Sequence, residues 1–428
     1  MFPISPNGIL RLRIGAVRRC PRRGASAAIA LAGAAVRGLI IAAILGLPHS
    51  GAAAGTCGVI DPTGILAGIT GDFELSADPD DPQGHVLFIS NTTGGVLATQ
   101  NIVVAQLDGV TGRVVPGSLT VVANNYYGNS NTNGPEWFRS PQGNLGIAYA
   151  GGDGVHMAFR AVPPQAWNAF SYDYTGAPTN GSPPPLPNAI AGSYINPPPQ
   201  PPAEEAQYSS YSGSCTSLCF GNYQGGPTTD VGQVLATQGY SMIYADAAPW
   251  DGYIYYSACN ATGGGCGVFS AALDGQGGLS QQTLLVSTGK QAARQIAAYR
   301  HPVTGVPVLF TPASATTISV WTQTAPAAPL VLLATVPVPT GQSHYRAAAS
   351  ATQVVLNFLV KQSQDPGQGS YTIAVSAGSD GVLSVGPVNQ ISTLASGAEL
   401  DWYPAAGSWA LVYRRPADGK YLGCWVTP

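Results

Sequence analysis

The stretch Val86-Leu-Phe-Ile-Ser-Asn91, followed by Ile102-Val-Val-Ala-Gln-Leu-Asp-Gly109, sets the pattern of the whole chain. Each run is short and rich in apolar and β-branched residues, and the second run ends in an Asp-Gly turn. Such a pair predicts an antiparallel β-hairpin. Tyr253-Ile-Tyr-Tyr-Ser257 with Gly267-Val-Phe-Ser-Ala-Ala-Leu-Asp-Gly275 repeats the pattern closely. The hairpin is therefore a recurring unit.

Four further copies share the same template of two β-rich runs. They are 146–149 with 154–159, 308–310 with 318–322, 354–358 with 371–378, and 409–413 with 421–425. The six copies begin near 86, 146, 253, 308, 354 and 409, with steps of about 46 to 60 residues and one double-sized interval. A fixed period of this size indicates a repeat architecture.

Composition supports an all-β chain and excludes several classes of protein. Glycine and proline account for 54 and 36 of 428 residues, and only 9% are charged against 45% hydrophobic. Coiled coils and disordered chains need more charge than this. Seven arginines and no acidic residue precede Gly55, so the remainder has 11 basic and 21 acidic residues. A domain with a formal charge of −10 has no continuous basic surface, and nucleic-acid binding is not expected.

The first 54 residues are typical of a bacterial secretory signal. A basic region precedes the apolar run 38–47, and the small residues Ala52-Ala53-Ala54 precede Gly55. We expect cleavage near Ala54, a mature domain over 55–428, and export to the periplasm or the medium. An uncleaved anchor over 25–47 is the alternative, although Arg37 interrupts it. The paired arginines 18–19 and 22–23 allow a twin-arginine route.

Six cysteines follow the signal, an even number that favours disulfides in an exported chain. Proximity pairs Cys215 with Cys219 and Cys259 with Cys266, which leaves Cys57 to bond Cys424. Zinc is the alternative for the two close pairs, but no histidine lies near either.

Two stretches upstream of hairpins point to a family. Pro135-Glu-Trp-Phe-Arg-Ser-Pro-Gln-Gly143 and Glu399-Leu-Asp-Trp-Tyr-Pro-Ala-Ala-Gly407, together with the hairpins, resemble the repeat of TolB-type, WD40-like β-propellers over most of 71–425. In that family a Pro-x-Trp-Ser-Pro-Asp-Gly turn precedes the second strand of a blade. The aspartate of the turn is Gln142 in one copy and Ala406 in the other. We expect no separate α/β domain, so the family's role in envelope integrity is not carried over.

The resemblance implies an all-β, six-bladed β-propeller, with a seventh blade possible in the double-sized interval. Closing such a ring requires a strand from near 57–69 to complete the last blade, next to the predicted bond between Cys57 and Cys424. A proline-rich insertion covers about 176–235. It is either a lid or docking loop over one face or a solvated excursion, because prolines supply no ladder donors.

Propellers usually bind ligands at the central channel, where the innermost strands begin. Aligning the repeats places a set of polar and aromatic residues near equivalent innermost positions. The candidates for ligand binding are Trp137, Arg139, Tyr244, His344, Tyr345, Arg346 and Trp402. The carboxylates of Glu74, Glu136 and Asp401 fall in the same positions.

These features support two functional hypotheses. The first is a monomeric binding or interaction module that takes a saccharide or a protein at one propeller face. The second is a glycoside hydrolase or lyase that uses Glu136 and Asp401, with Glu74 as a further candidate, as the acid and base that glycoside cleavage needs. The chain has no Gly-x-Ser-x-Gly elbow, no His-Glu-x-x-His and no phosphate loop.

A run of acidic residues is a further candidate for metal binding. Asp78-Pro-Asp-Asp81 places three carboxylates in four residues, which suits calcium but lacks the EF-hand pattern. A solvated turn is the alternative, and we expect no other cofactor.

Overall fold

The computed structural model describes a large part of the predicted mature domain, within one compact unit, Gly51–Pro428. The described residues are 57–78, 81–92, 99–127, 135–139, 145–151, 154–160, 167–172, 207–209, 218–220, 229–230, 242–244, 253–259, 265–273, 279–288, 296–325, 328–360, 368–393 and 398–428. The predicted signal segment, 1–54, lies outside them.

Strands make up the secondary structure of the described residues. In chain order they are β1 (Cys57–Val59), β2 (Ile69–Ala77), β3 (Val86–Thr92), β4 (Thr99–Leu107), β5 (Thr120–Tyr127), β6 (Glu136–Arg139), β7 (Leu145–Gly151), β8 (Gly154–Arg160), β9 (Trp167–Tyr172), β10 (Gln207–Ser209), β11 (Leu218–Phe220), β12 (Thr229–Asp230), β13 (Met242–Tyr244), β14 (Tyr253–Cys259), β15 (Cys266–Leu273), β16 (Leu279–Thr288), β17 (Ala297–Arg300), β18 (Pro307–Ser314), β19 (Thr317–Thr322), β20 (Val331–Pro337), β21 (Gln342–Ala349), β22 (Gln353–Val360), β23 (Gly369–Ala377), β24 (Leu383–Ser392), β25 (Ala398–Tyr403), β26 (Ser408–Arg414) and β27 (Tyr421–Val426). None of the described segments forms a helix of the length and apolarity that a bilayer crossing requires.

The strands form successive antiparallel meanders, the repeating unit of propeller-type folds. We number the sheets in chain order: sheet 1 is β2–β5, sheet 2 is β6–β9, sheet 3 is β10–β12, sheet 4 is β13–β16, sheet 5 is β17–β20, and sheet 6 is β21–β24. Sheet 7 has the order β1-β27-β26-β25. The prediction of an all-β repeat fold is confirmed.

The predicted hairpins are the second and third strands of the four-stranded sheets. β22 shows why the sequence identifies them, since Gln353–Val360 is buried at every position after the first. A strand covered by neighbouring sheets on both faces has to be apolar on both faces. β20, the fourth strand of sheet 5, is only partly buried and exposes Val331 and Leu332. Burial therefore decreases toward the fourth strand.

Aromatic and aliphatic side chains pack each sheet against the next. Tyr255 and Leu309 belong to one cluster that joins sheets 4 and 5, and a larger cluster joins sheets 5 and 6. Val355 and Leu411 join sheets 6 and 7. A further cluster joins sheet 7 to sheet 1, where the rings of Phe73, Phe88 and Tyr421 lie 5.2 to 5.4 Å apart.

The first strands of neighbouring sheets lie side by side. β25 contacts β2 and β21, β21 also contacts β17, and β2 contacts β6. This arrangement lines up the strands on which the sequence places the candidate site.

The chain ends meet in sheet 7. β1 pairs with β27 so that Cys57 lies opposite Cys424, and the two form a disulfide. The predicted Cys57–Cys424 bond is confirmed, and the N-terminal segment supplies the missing fourth strand of this sheet. Cys266 is disulfide-bonded as well and lies opposite Cys259 in the ladder. Cys215 lies outside the described residues, as does the side chain of Cys219.

The interval predicted as a proline-rich insertion contains sheet 3, whose three strands fall between 207 and 230. Its proline runs lie outside the described residues.

Candidate functional site

Three first strands contribute one ionic cluster. Arg346 on β21 directs both terminal nitrogens at the two carboxylate oxygens of Glu74 on β2, and its Nε lies 3.0 Å from Oε1 of Glu399 on β25. Both glutamates are buried, whereas 30% of the Arg346 side chain is exposed. We call these three residues the Arg346 clamp. It joins sheets 1, 6 and 7 through side chains that are distant in sequence.

Backbone irregularities precede both Glu74 and Arg346. The ladder between β2 and β3 shifts register between Ile69 and Phe73, and that between β21 and β22 shifts between Ser343 and Arg346. Bulges of this kind bend a strand and redirect its side chains. Each therefore sets the direction of the charged side chain that follows it.

His344 lies within the second bulge. It is exposed and adopts φ 51°, the one left-handed non-glycine conformation among the described residues. That conformation costs roughly 1–2 kcal/mol for a residue with a Cβ. Backbone strain of this type clusters at functional sites. An exposed histidine with a strained backbone thus lies two residues before Arg346.

The clamp brings one cationic and two acidic side chains into direct contact. Arginine remains protonated in proteins, and a fixed guanidinium matches the geometry of a carboxylate. The two glutamates outnumber the single arginine, so the clamp has a formal charge of −1. A guanidinium fixed in this way is preorganised for further hydrogen bonding on its exposed side.

Asp401 lies two residues beyond Glu399 and therefore on the same face of β25. Its Oδ1 accepts a hydrogen bond from the backbone N–H of Trp402 at 2.8 Å, and the N–H of Ala77 on β2 also donates to the carboxylate. Its Oδ2 is fully covered and has no hydrogen-bond partner in the described part of the chain. Burial raises the pKa of Asp401 to about 7, against the lowering effect of the two backbone donors.

Two tyrosines lie close enough to sense the Asp401 charge. Burial raises the pKa of Tyr299 to about 12 and raises that of Tyr403, and the Asp401 charge adds to both shifts. Both phenols are therefore neutral at physiological pH, and neither offsets a charge on Asp401.

A second buried ion pair joins sheets 1 and 2. Arg160, at the end of β8, binds both carboxylate oxygens of Asp78 at 2.6 and 2.7 Å. Nearby, His85 contacts the carboxylate of Asp81. Two of the three carboxylates in the acidic run 78–81 are therefore engaged by side chains of the protein itself.

The calcium hypothesis for that run stays a prediction. Its third carboxylate belongs to Asp80, which lies outside the described residues together with Pro79. Within the part of the chain that the structure describes, no group of three or more His, Cys, Asp or Glu side chains is arranged to hold a metal.

The residues singled out from the sequence all lie on the first strand of a sheet. Glu136, Trp137 and Arg139 are on β6 and Tyr244 ends β13, but their side chains lie outside the described residues. The others lie on β2, β21 and β25. The structure thus brings Glu74 and Arg346 into direct contact.

Two of the predicted aromatic residues contact other side chains of their own sheets, and their ligand-binding roles stay predictions. The hydroxyl of buried Tyr345 contacts Gln342, and the ring of Trp402 lies 5.5 Å from that of Trp409. These contacts give both residues a role in packing their own sheets.

Glu399 is the member of the clamp that sequence reasoning missed. It lies in the motif Glu399-Leu-Asp401, where strand alternation places both carboxylates on one face. That spacing was the available signal. No sequence pattern points to the ion pair between Asp78 and Arg160, because 82 residues separate the two partners.

Comparisons with known proteins give a limited result. No protein-family model matches the chain, and no curated protein matches it. The TolB-type resemblance therefore stays a prediction.

Several solved structures are similar in fold. The WD40 repeats of RRP9 match with a TM-score of 0.48 and 10% identity, covering 88% of this chain and 99% of that one. A periplasmic gluconolactonase from Pseudomonas aeruginosa gives 0.42 and 12%, covering 76% and 87%. A GH43_1 enzyme from Xanthomonas citri gives 0.39 and 11%, covering 82% and 96%. At TM-scores below 0.5, these likenesses carry no argument about function.

Proposed function

We propose that the chain is an exported β-propeller that binds a saccharide at the exposed side of the Arg346 clamp. The proposed ring has six four-stranded blades, with sheet 3 in the position of a seventh, and β1 closes it through sheet 7. The paired β1 and β27, with their disulfide, support closure. The secretory signal and the disulfide support export.

The observation that carries the binding proposal is the fixed guanidinium of Arg346, whose side chain is partly exposed, beside strained His344. Saccharide hydroxyls need several hydrogen-bonding groups held in place, and preorganisation reduces the entropy lost on binding. Glu74 and Glu399 are buried and fix the guanidinium of Arg346. That guanidinium and the imidazole of His344, two residues away on β21, are the groups offered to a saccharide.

A panel of plant and microbial polysaccharides tests the proposal, using the mature protein from Gly55. We expect retention of at least one glycan. His344→Asn removes the imidazole while keeping a residue that tolerates left-handed backbone, and we expect about tenfold weaker binding, equivalent to about 1.4 kcal/mol.

Arg415→Ala is the matched control, because Arg415 is an exposed arginine paired with Asp418 and is not part of the clamp. It should bind like the wild type. Failure of every glycan to bind, or equal affinity of His344→Asn and wild type, would contradict the proposal. A protein ligand captured at the same face in place of a glycan would contradict its saccharide part.

A glycoside hydrolase or lyase is the second candidate. Asp401 supports it, because a carboxyl with a pKa of about 7 suits a general acid, and a second carboxyl, that of Glu399, lies on the same face of β25 beside Arg346. The covered Oδ2 of Asp401 opposes it, since no substrate atom reaches that oxygen in this conformation. Release of reducing ends from the same glycan panel would favour the enzyme.

A further inference from the structure

Asp401 lies in the seam between β2 and β25, the two strands that carry the glutamates of the Arg346 clamp. Its Oδ1 accepts a hydrogen bond from the backbone N–H of Trp402, and the N–H of Ala77 on β2 also donates to the carboxylate. The other oxygen, Oδ2, has no accessible surface. Asp401 as a whole is half-buried, and its carboxyl combines a hydrogen-bonded Oδ1 with a covered Oδ2 that has no partner among the described residues.

The enclosure limits what can satisfy Oδ2. An oxygen without accessible surface admits neither a water molecule nor a metal ion, whereas a proton needs no additional space. A buried carboxyl that lacks a cationic partner is more stable in its neutral form. Proton binding is therefore the one form of stabilisation available in the closed seam.

The charged groups on neighbouring strands do not replace that proton. On β2, Glu74 is paired with Arg346, and the side chain of Asp72 lies outside the described residues. Asp78, which follows β2, is paired with Arg160. On β26, the residue opposite Asp401 is Ala410. Arg346 on β21 is occupied by Glu74 and by Glu399, the other acid of β25. Tyr299 and Tyr403 are neutral, so no charged group among the described residues would compensate an ionised Asp401.

We propose that Asp401 is a proton-operated lock on the seam between β2 and β25. Protonated Asp401 lies enclosed and the seam stays closed, whereas ionised Asp401 needs water, which enters only if the two strands separate. Separation moves Glu74 relative to Glu399 and loosens the hold of both on Arg346. The lock itself is independent of the proposed function, and only its effect on ligand affinity rests on it.

The pKa of Asp401 is raised in the folded state, and this direction determines how folding stability changes with pH. The pKa of Asp401 is about 7 in the folded protein and 3.8 ordinarily, so the folded state holds the proton more tightly. Stability from this group is fully present below pH 4 and is lost as the pH rises to about 7. Asp401→Asn mimics the neutral carboxyl and removes the dependence.

Denaturant unfolding of wild type and Asp401→Asn between pH 4 and 9 tests the lock. The ratio of the wild-type unfolding constant to that of the variant should rise about tenfold per pH unit up to about pH 7, then level off. Asp418→Asn is the matched control, because Asp418 is exposed and Arg415 lowers its pKa to about 2. The ratio of the wild-type unfolding constant to that of Asp418→Asn should stay constant over pH 5–9.

A flat ratio for Asp401→Asn would overturn the proposal. Should that variant fail to fold, infrared titration of the wild type decides, with Asp401→Glu to assign the signal. We expect one protonated carboxyl to titrate near pH 7, and its absence would equally overturn the lock.

Ligand affinity tests the coupling to the clamp. For a glycan that the wild type retains, affinity should fall from pH 6 to pH 8 by more in the wild type than in Asp401→Asn. Histidine side chains such as that of His344 ordinarily titrate in the same range, so the difference between the two proteins, rather than the wild type alone, measures the contribution of Asp401. Equal pH dependence would refute the coupling. A protein that binds no glycan but shows the expected unfolding ratio would refute the proposed function and leave the lock supported.

Discussion

Glu399 and Asp401 lie two residues apart on one face of β25 and yet have opposite environments. Glu399 meets the guanidinium of Arg346, supplied by β21, whereas Asp401 meets backbone N–H groups, one of them supplied by β2. Both carboxylates are removed from most of the solvent. The difference shows that two carboxylates on one face of a strand can meet different partners: a cation lies beside Glu399, whereas burial raises the pKa of Asp401.

Arg346→Met should have the largest effect, because it gives Glu399 the environment of Asp401. The substitution leaves Glu74 and Glu399 buried without a cation, and breaking a buried ion pair in this way costs about 3–5 kcal/mol. Urea unfolding at pH 7 measures the loss. The loss should shrink as the pH falls, because protonation removes the uncompensated charges.

Neutralising all three members of the clamp provides the control for that experiment. The triple variant with Glu74→Gln, Arg346→Met and Glu399→Gln should recover part of the lost stability, because no uncompensated charge remains. A loss below about 1 kcal/mol for Arg346→Met alone, the level of an exposed pair, would contradict the environment described for Glu399.

The buried pair of Asp78 and Arg160, at the end of β2, tests how strongly burial affects the contribution of an ion pair to stability. Asp78→Asn leaves the Arg160 guanidinium without its carboxylate at a position where both side chains are buried. We expect destabilisation of about 3 kcal/mol in thermal or urea unfolding. Asp418→Asn, which breaks an exposed pair with Arg415, should leave the unfolding midpoint unchanged. Equal effects of the two substitutions would contradict the role of burial.

The sequence predicts the hairpins well because their strands are buried on both faces. The runs at Val354–Phe358 and Trp409–Tyr413 lie within β22 and β26 as predicted. Fourth strands such as β24 are harder to recognise. Its sequence, Leu383–Ser392, mixes serine, glycine, proline and asparagine with apolar residues, because its surface is partly exposed.

The sequence predicts which strands carry the candidate residues, but it does not predict which of these residues contact each other. Repeat alignment places Glu74, Arg346 and Asp401 on first strands, where the structure has them. The contact between Glu74 and Arg346 spans 272 residues and depends on how sheets 1 and 6 flank sheet 7. Local sequence does not encode that placement, and for the same reason it does not show that Asp401 lacks a cation.

The affinity of Arg346→Lys for a retained glycan tests the central claim most directly. Lysine keeps the positive charge between the two glutamates but loses the planar fork that fixes the side chain. We predict that the variant retains the wild-type fold, as judged by circular dichroism, and binds the glycan about tenfold more weakly by calorimetric titration. Wild-type affinity in this variant would contradict the claim that the fixed guanidinium of Arg346 forms the binding site.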